Sequence, residues 1–314
     1  MADSIFDNNS TQPTSESNIF DMPSNDNQKV EAANNDFVEV SEDNVYSDEE
    51  MNDPNAINVS ITDSSAPLIV LFGPPSCGKT MTLVRLTRYL SRKGFIVAPI
   101  RNFRPTYDTN YAALCDGFDT LINSDDAADS TNKINFMLVE VMKNGKRICQ
   151  MLEAPGELYF NKDKPQQPFP NFLNTLMNRN NRKIWAVMVE PNWLEASDRK
   201  NYVNKILRLK QKMRPMDRSI IVFNKIDMTN YVRTPGQIHV SGAIKEIRDL
   251  YPGLIESYKN LNPITSLWKA YNVNFVPFQT GDYSVTASGK KSFQEGPDEY
   301  PKALWEKIFK GIKG

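Results

Sequence analysis

Histidine is nearly missing from this chain: among 314 residues His239 stands alone, outside every motif described below. That excludes any site needing two or more imidazoles. Cysteine is scarce as well. Cys77, Cys115 and Cys149 share no metal-like or redox-pair spacing, and their odd number argues against a disulfide framework. A reducing compartment fits. No apolar run approaches the length of a membrane-spanning helix, so no transmembrane segment is expected. The start, Met1-Ala2-Asp3, has neither the basic flank nor the apolar stretch of a secretory signal, and Ala2 breaks the myristoylation pattern. Lys313-Gly314 offers no cysteine for prenylation. The expected location is cytoplasmic.

Basic residues are missing from the first part of the chain. Residues 1–63 hold nine Asp and six Glu against a single Lys, Lys29, for a net −14 that leaves +13 on residues 64–314. Asn, Asp and Ser dominate this segment and apolar residues are few, so it lacks the buried surface that would offset the entropy of ordering. Residues 1–63 therefore read as a disordered acidic tail, and residues 64–314 as one domain large enough for a single core. The tail repeats a short pattern, Ser4-Ile5-Phe6-Asp7 and Asn18-Ile19-Phe20-Asp21, which is either a docking motif or an accident of composition.

What is present begins with the apolar run Pro67 to Phe72, a predicted buried strand, followed directly by Gly73-Pro74-Pro75-Ser76-Cys77-Gly78-Lys79-Thr80. This octet fits GxxxxGK[ST], the phosphate-binding loop. A strand that runs through a glycine-hinged loop into a helix gathers backbone N–H groups and a positive helix end where a polyphosphate can sit. Lys79 is expected to reach the outer phosphates and Thr80 to hold Mg²⁺. Cys77, inside the loop, is expected to pack behind it rather than to react.

Downstream, Lys79 to Arg92 has helical spacing and stops at Gly94, and Phe95 to Ile100 reads as a strand. The stretch from Arg101 to Asp129 is polar and reads as a long functional loop with a short helix around Tyr111 to Phe118. Ile134 to Met142 and Arg147 to Leu152 flank Asn144-Gly145, a strong hairpin signal. Ile184 to Val189, Ile220 to Phe223 and Val273 to Phe278 are short apolar strands, with helices expected over Leu194–Met213, Ser241–Lys259 and Pro301–Ile312. Strand and helix alternate, so the fold class is three-layer α/β with a mostly parallel sheet and one antiparallel strand from the hairpin. The basic residues of the helix at 194–213, among them Arg199, Lys205, Arg208 and Lys210, read as a solvated face, and no nucleic-acid partner is expected. The last helix, with lysines among Leu304, Trp305, Ile308 and Phe309, is expected to pack on the sheet rather than on a membrane.

Asn224-Lys225-Ile226-Asp227, at the end of the strand Ile220 to Phe223, indicates which base is held. A carboxylate accepts two hydrogen bonds from N1–H and the exocyclic amine of guanine, a donor pair that adenine lacks. Asp227 would make that contact, while Asn224 and Lys225 tie the base loop to the phosphate loop and cover the ring.

With Glu153-Ala154-Pro155-Gly156-Glu157 at the end of the second hairpin strand, the chain from about residue 66 to 313 resembles the Ras-like P-loop GTPases of the TRAFAC class, near bacterial GTPase-like domains whose third motif reads Pro-Gly-Glu. The resemblance implies a G domain that binds GTP or GDP with Mg²⁺, hydrolyses GTP and switches loop conformation, together with a protein effector or regulator. In that family the third motif is Asp-x-x-Gly, the Asp assisting Mg²⁺ and the Gly N–H sensing the γ-phosphate. Gly156 matches, and Glu153 is a substitution that keeps the charge. Glu157 stands where many members orient the attacking water, and a carboxylate beside a polyanion implies slow turnover. Thr131 is the expected switch threonine that closes over Mg²⁺, with Thr106 and Thr109 as rivals, and Lys79, Thr131 and Glu157 are the expected catalytic group. Gln279-Thr280-Gly281 occupy the place of the last base-contacting loop by position only. Arg101 and Arg104 are speculative arginine fingers. Arg104-Pro105-Thr106 after a strand also resembles the signal-recognition-particle type of GTPase, in which that strand lies parallel to the first; the Asn-Gly hairpin favours the Ras-like arrangement. A GTP-bound module with little turnover and a P-loop ATPase are the alternatives in function.

Overall fold

The computed structural model describes residues 49–50, 53–123, 136–193, 195–234, 236–285 and 291–314, all within one compact unit that spans Glu42–Gly314. In chain order the elements are β1 (Leu68–Phe72), α1 (Lys79–Arg92), β2 (Ile96–Pro99), α2 (Thr109–Asn123), β3 (Met137–Lys143), β4 (Lys146–Glu153) and α3 (Gly156–Tyr159). They continue with α4 (Asn171–Asn178), β5 (Lys183–Val189), α5 (Ala196–Lys212), β6 (Arg218–Phe223), β7 (Val232–Thr234), β8 (Gln237–Ile238) and α6 (Val240–Leu250). β9 (Asn274–Pro277), β10 (Gly281–Val285), β11 (Lys291–Glu295) and α7 (Glu299–Lys313) complete the chain.

Seven strands form one sheet in the order β2-β3-β4-β1-β5-β6-β9, flanked by helices. β1 pairs in parallel with both β4 and β5, and each of its five residues is buried, which is why its sequence is a continuous apolar run rather than an alternation. β5, β6 and β9 extend the parallel order. β3 alone runs against it, pairing antiparallel with both β4 and β2. Its hairpin turn has positive φ at both Asn144 (52°) and Gly145 (72°), the backbone that an Asn-Gly pair adopts at low cost. This is the P-loop α/β fold with one antiparallel strand. β2 lies at the sheet edge, running in the same direction as β1 but separated from it by β3 and β4.

Four sequence expectations need correction. The polar stretch after β2 is mostly helix: the Asp108 carboxylate accepts the Tyr111 N–H at 2.9 Å, and Tyr111, Cys115, Phe118 and Ile122 fall on one buried face of α2. α6 ends at Leu250 rather than continuing to Lys259, because Pro252 forces Tyr251 out of the helical region. The basic side chains of α5 are largely tied back rather than solvated. Lys205 is buried, donates to the Gln167 carbonyl at 2.5 Å and lies over the Phe169 ring, and Arg199 donates to the carbonyls of Trp193 and Leu250. Burial pushes the Lys205 ammonium down to about 8, with Arg208 adding to the effect. α7 does pack inward, burying Leu304, Trp305 and Ile308.

The fourth correction concerns where folding begins. Ile57 and Ile61 are 5% and 3% exposed and belong to the main core. The Ser60 N–H donates to the Phe103 carbonyl at 2.7 Å, and the Asn58 carbonyl accepts from Arg104 at 2.9 Å. Acidic composition hides these two isoleucines, so the packed chain reaches back past residue 64. Ile61→Ala is expected to cost about 2–4 kcal/mol in urea-unfolding free energy, the cost of a buried cavity, whereas a residue in an unstructured tail would cost nothing.

Candidate functional site

The site is built at the carboxyl ends of β1, β4, β6 and β9. Phe72, the last residue of β1, sits in an aromatic cluster with Tyr159 (ring centroids 4.8 Å apart), Phe169, Trp185 and Tyr202, which forms a rigid floor beneath the loop that follows. Between this floor and α1 the backbone turns through left-handed conformations at Ser76 (φ 59°) and Gly78 (φ 87°). The first turn of α1 has no acidic residue, which leaves its positive end free for an anion.

Two loops converge on Gly73–Thr80, and contact distances show how closely. A β-carbon placed on Gly156 would lie 2.1 Å from the Pro75 nitrogen and 2.3 Å from the Pro74 carbonyl carbon, so the third-motif backbone rests on the phosphate loop. A β-carbon on Gly78 would meet the Asn224 Nδ2 at 2.2 Å. That amide donates to the Cys77 carbonyl at 2.9 Å, joining the base loop to the phosphate loop. Gly73 is equally confined: a β-carbon there would lie 2.4 Å from the Cys77 Sγ and 2.9 Å from the Met188 side chain.

Lys79 is buried, and its Nζ donates to the Pro74 carbonyl at 3.0 Å, folded back across the loop. The Thr80 hydroxyl donates to the Glu153 Oε1 at 3.1 Å. Glu153 is 1% exposed at the end of β4, and its other oxygen, Oε2, has no hydrogen-bond partner. Burial pushes its carboxyl up to about 8; the Lys79 charge and the Thr80 hydrogen bond oppose the rise and Glu157 adds to it. A buried carboxylate with a spare oxygen beside a threonine hydroxyl fits Mg²⁺, which takes one or two protein ligands and completes its shell with phosphate oxygens and water. Among the described residues no cluster of three or more His, Cys, Asp or Glu offers an all-protein metal cage. Glu157 is exposed in the first turn of α3.

On the base side, Lys225 takes a left-handed backbone (φ 55°) and its ammonium pairs with the buried Glu190, just past β5. Asp227 is exposed; desolvation by the surrounding protein raises its pKa and Asp282 adds to the rise, while Lys225 opposes it. The Ile226 N–H donates to the Phe278 carbonyl at 3.2 Å and the Phe278 N–H to the Phe223 carbonyl at 2.8 Å, which brings Thr280 and Gly281 beside the base loop. Thr280 is buried with its hydroxyl 3.0 Å from that of Tyr283.

The structure thus sets Gly156 and Asn224 against Gly73–Thr80, joins Thr80 to Glu153, and brings the segment leading to Thr280 and Gly281 beside the loop of Lys225 and Asp227. Thr131 lies outside the described residues, and its rivals Thr106 and Thr109 are exposed near the start of α2. Arg104 does not suit a finger. Arg104 is 4% exposed and locked to Glu50, Asp108 and the Asn58 carbonyl, and Arg101 pairs with Asp116 on the surface. Burial pushes the Cys77 thiol up to about 11, against the pull of Lys79, so it packs rather than reacts. Glu190, the buried partner of Lys225, is the residue that the motifs do not reveal, although an acid immediately after the apolar run Ile184–Val189 is a usable signal.

No family model matches the chain, and no curated protein matches it. Solved structures with partial likeness include nucleolar GTP-binding protein 1 from Plasmodium falciparum, 16% identical with a TM-score of 0.36 over 82% of this chain and 92% of that one. The signal recognition particle receptor SRb-GTP/SRX complex from Chaetomium thermophilum is 13% identical with a TM-score of 0.40 over 78% and 98%. Roco2 RocCORdC bound to GDP from Methanosarcina barkeri is 9% identical with a TM-score of 0.34 over 82% of this chain and 52% of that one, so the chain spans about half its length. Overlap at this level adds nothing to the strand order and loop chemistry above.

The raised Glu153 gives a signed pH dependence for the ligand-free protein. Its folded pKa, about 8, lies above the ordinary 4.5, so between those values the native state binds the extra proton and stability falls as pH rises. Urea unfolding in EDTA across that window should show the decline in wild type and a flatter profile in Glu153→Gln.

Proposed function

We propose that this chain binds GTP with Mg²⁺ and hydrolyses it to GDP and phosphate, with loop conformation following the γ-phosphate. The observation that supports this reading is the Asn224 amide held 2.9 Å from the Cys77 carbonyl, which ties the loop that carries Asp227, a carboxylate suited to guanine, to the phosphate loop. A carboxylate at the base edge is a poor match for adenine, which is why GTP is favoured over ATP.

The chain's own groups divide the work. Lys79 leaves the Pro74 carbonyl to meet phosphate oxygens, and the backbone N–H groups leading into α1 supply further donors. Thr80 and Glu153 would hold Mg²⁺, with Thr131 as the switch threonine that would join them; Mg²⁺ would neutralise charge that develops on the phosphates. With the metal bound, Glu153 stays ionised in a place that otherwise favours its acid form. Gly156 is the natural sensor of the γ-phosphate, because its backbone rests on Pro74–Pro75 and any ligand-driven shift of that loop moves it. Asp227 reads the base, Lys225 covers it under the grip of Glu190, and Thr280 and Gly281 close the far side. Glu157 is placed to orient the attacking water. A cytoplasmic protein effector or regulator completes this reading, since the buried and tied Arg104 is not free to serve the transition state.

A second reading, a GTP-bound module with little turnover, is favoured by one observation: Glu157 adds negative charge beside an already disfavoured Glu153 carboxylate. Nucleotide binding and phosphate release separate the two. Lys79→Ala should weaken GTP on the order of tenfold to a hundredfold, and Asp227→Asn should reduce the preference for GTP over ATP by a similar factor, from the loss of charge-assisted hydrogen bonds. ATP that competes as well as GTP, with Asp227→Asn unchanged, would overturn the guanine reading. Tight GTP binding with phosphate release equal in wild type and Lys79→Ala would leave the module.

A further inference from the structure

Ten large apolar side chains are exposed among the described residues, and four of them fall within eight positions: Leu261 at 86%, Ile264 at 66%, Leu267 at 79% and Trp268 at 80%. They share the connection between α6 and β9, at the opposite end of β9 from Thr280 and Gly281. Isolated exposed apolar residues are ordinary, but a cluster that includes a tryptophan is not.

The connection is built to hold them outward. Asn260 is 7% exposed, and its Nδ2 donates to the Thr265 hydroxyl and the Lys269 carbonyl, both at 2.9 Å. Its Oδ1 accepts the Asn262 N–H at 3.1 Å, and the Asn262 Oδ1 in turn accepts the N–H groups of Ile264 and Thr265 at 3.0 and 3.1 Å. Below the tip, Lys259 and Tyr271 form an antiparallel bridge, and the Asn260 N–H donates to the Ala270 carbonyl at 2.8 Å. Polar side chains satisfy the backbone internally while the apolar ones point to solvent. That inverts the usual composition of a surface loop.

Charge indicates the occupant. From residue 257 to 281 the chain has no acidic residue, and its two charges are Lys259 and Lys269, both exposed at the base of the projection. The acid just before it, Glu256, is paired with Arg248. Leucine, isoleucine and tryptophan at a tip, lysines at its shoulders and a backbone whose N–H groups at Asn262, Ile264, Thr265, Ser266, Trp268 and Lys269 are already paired suit a bilayer interface, since lipid offers no partner to an unpaired N–H. A complementary protein groove would be expected to supply hydrogen-bond partners and to face charges of both signs.

We propose that the Leu261–Trp268 projection is a membrane-insertion loop that docks this domain on an anionic phospholipid surface. Insertion is shallow: the apolar tip enters the interface, Lys259 and Lys269 meet lipid phosphates, and the nucleotide end of the sheet stays in solution. This inference stands apart from the choice of nucleotide.

The test uses the full chain with vesicles of phosphatidylcholine, with and without phosphatidylserine. Expected are co-sedimentation with phosphatidylserine vesicles that weakens as salt is raised, and a blue shift of tryptophan emission quenched by brominated acyl chains. Of the other three tryptophans Trp185 and Trp305 are buried and Trp193 is half-buried, so loss of the shift in Trp268→Ala would assign it to the loop. Leu267→Glu with Trp268→Glu should cut vesicle affinity by roughly a hundredfold, about tenfold per side chain, with an unchanged thermal melt as the folding control. Absence of co-sedimentation with either vesicle, or equal binding by the double variant, would overturn the proposal.

Discussion

A single amide hydrogen bond sets the geometry on which the site depends. The Asn224 Nδ2 and the Cys77 carbonyl are 147 residues apart in sequence and 2.9 Å apart in space. Each end is fixed independently. Asn224 follows β6, and its own N–H donates to the Val189 carbonyl of the neighbouring strand at 2.8 Å. Cys77 follows β1 and has no exposed surface. Because β5 lies between β1 and β6, the bond spans a parallel strand and holds two strand ends at a constant separation. In a parallel sheet, loops that leave the same edge share a crevice, and here one side-chain contact turns that adjacency into a rigid distance.

The glycines show the complementary constraint, which is on volume. Gly78 has no room for a β-carbon because Asn224 occupies it, and Gly156 has none because the backbone of Pro74 and Pro75 does. Only at Gly78 is conformation also demanding, with φ at 87°. Polar groups in the same small volume are left under-satisfied: the Glu153 Oε2 and the Asn224 Oδ1 are buried and accept no hydrogen bond. Each such atom carries a desolvation penalty, and of the ten among the described residues these two belong to the elements proposed to hold the nucleotide. Glu153 carries the larger share, since it is a full carboxylate whose ionised form the surroundings disfavour.

Much of this is legible in the residues, for local reasons. The phosphate loop announces itself because strand, glycine spacing and helix are contiguous. The Asn144-Gly145 turn is legible because few other pairs tolerate two positive φ values in succession. What escapes depends on contacts that are distant in sequence. The Asp108 cap and the spacing of Tyr111, Cys115, Phe118 and Ile122 are visible, yet the polar residues between them mask the helix until a packing face is supplied. Ile57 and Ile61 sit among acids and read as tail, although they fill a gap in the core. The lysines and arginines of α5 read as solvated because sequence does not reveal that carbonyls of residues 166 to 167 and 250 to 257 come to meet them. Arg104 reads as a loop residue for the same reason: its partners Glu50 and Asp108 are acids whose location only the fold supplies.

The arginines of α1 show how a structural clamp can serve the site. Arg85, Arg88 and Arg92 lie on one helix face at spacings of three and four, and all three reach Glu295, with Arg85 and Arg92 also on Asp298. Arg85 is wholly buried while its acidic partners retain some exposure, so the helix bears most of the desolvation and the acids are held by it. Glu295 ends β11, the return strand of the hairpin that begins at Gly281 beside the base loop. The helix that opens at Lys79 and Thr80 therefore grips, further along its length, the segment that shapes the other side of the crevice. The link between α1 and this hairpin is a set of charge-assisted hydrogen bonds rather than a flexible connection.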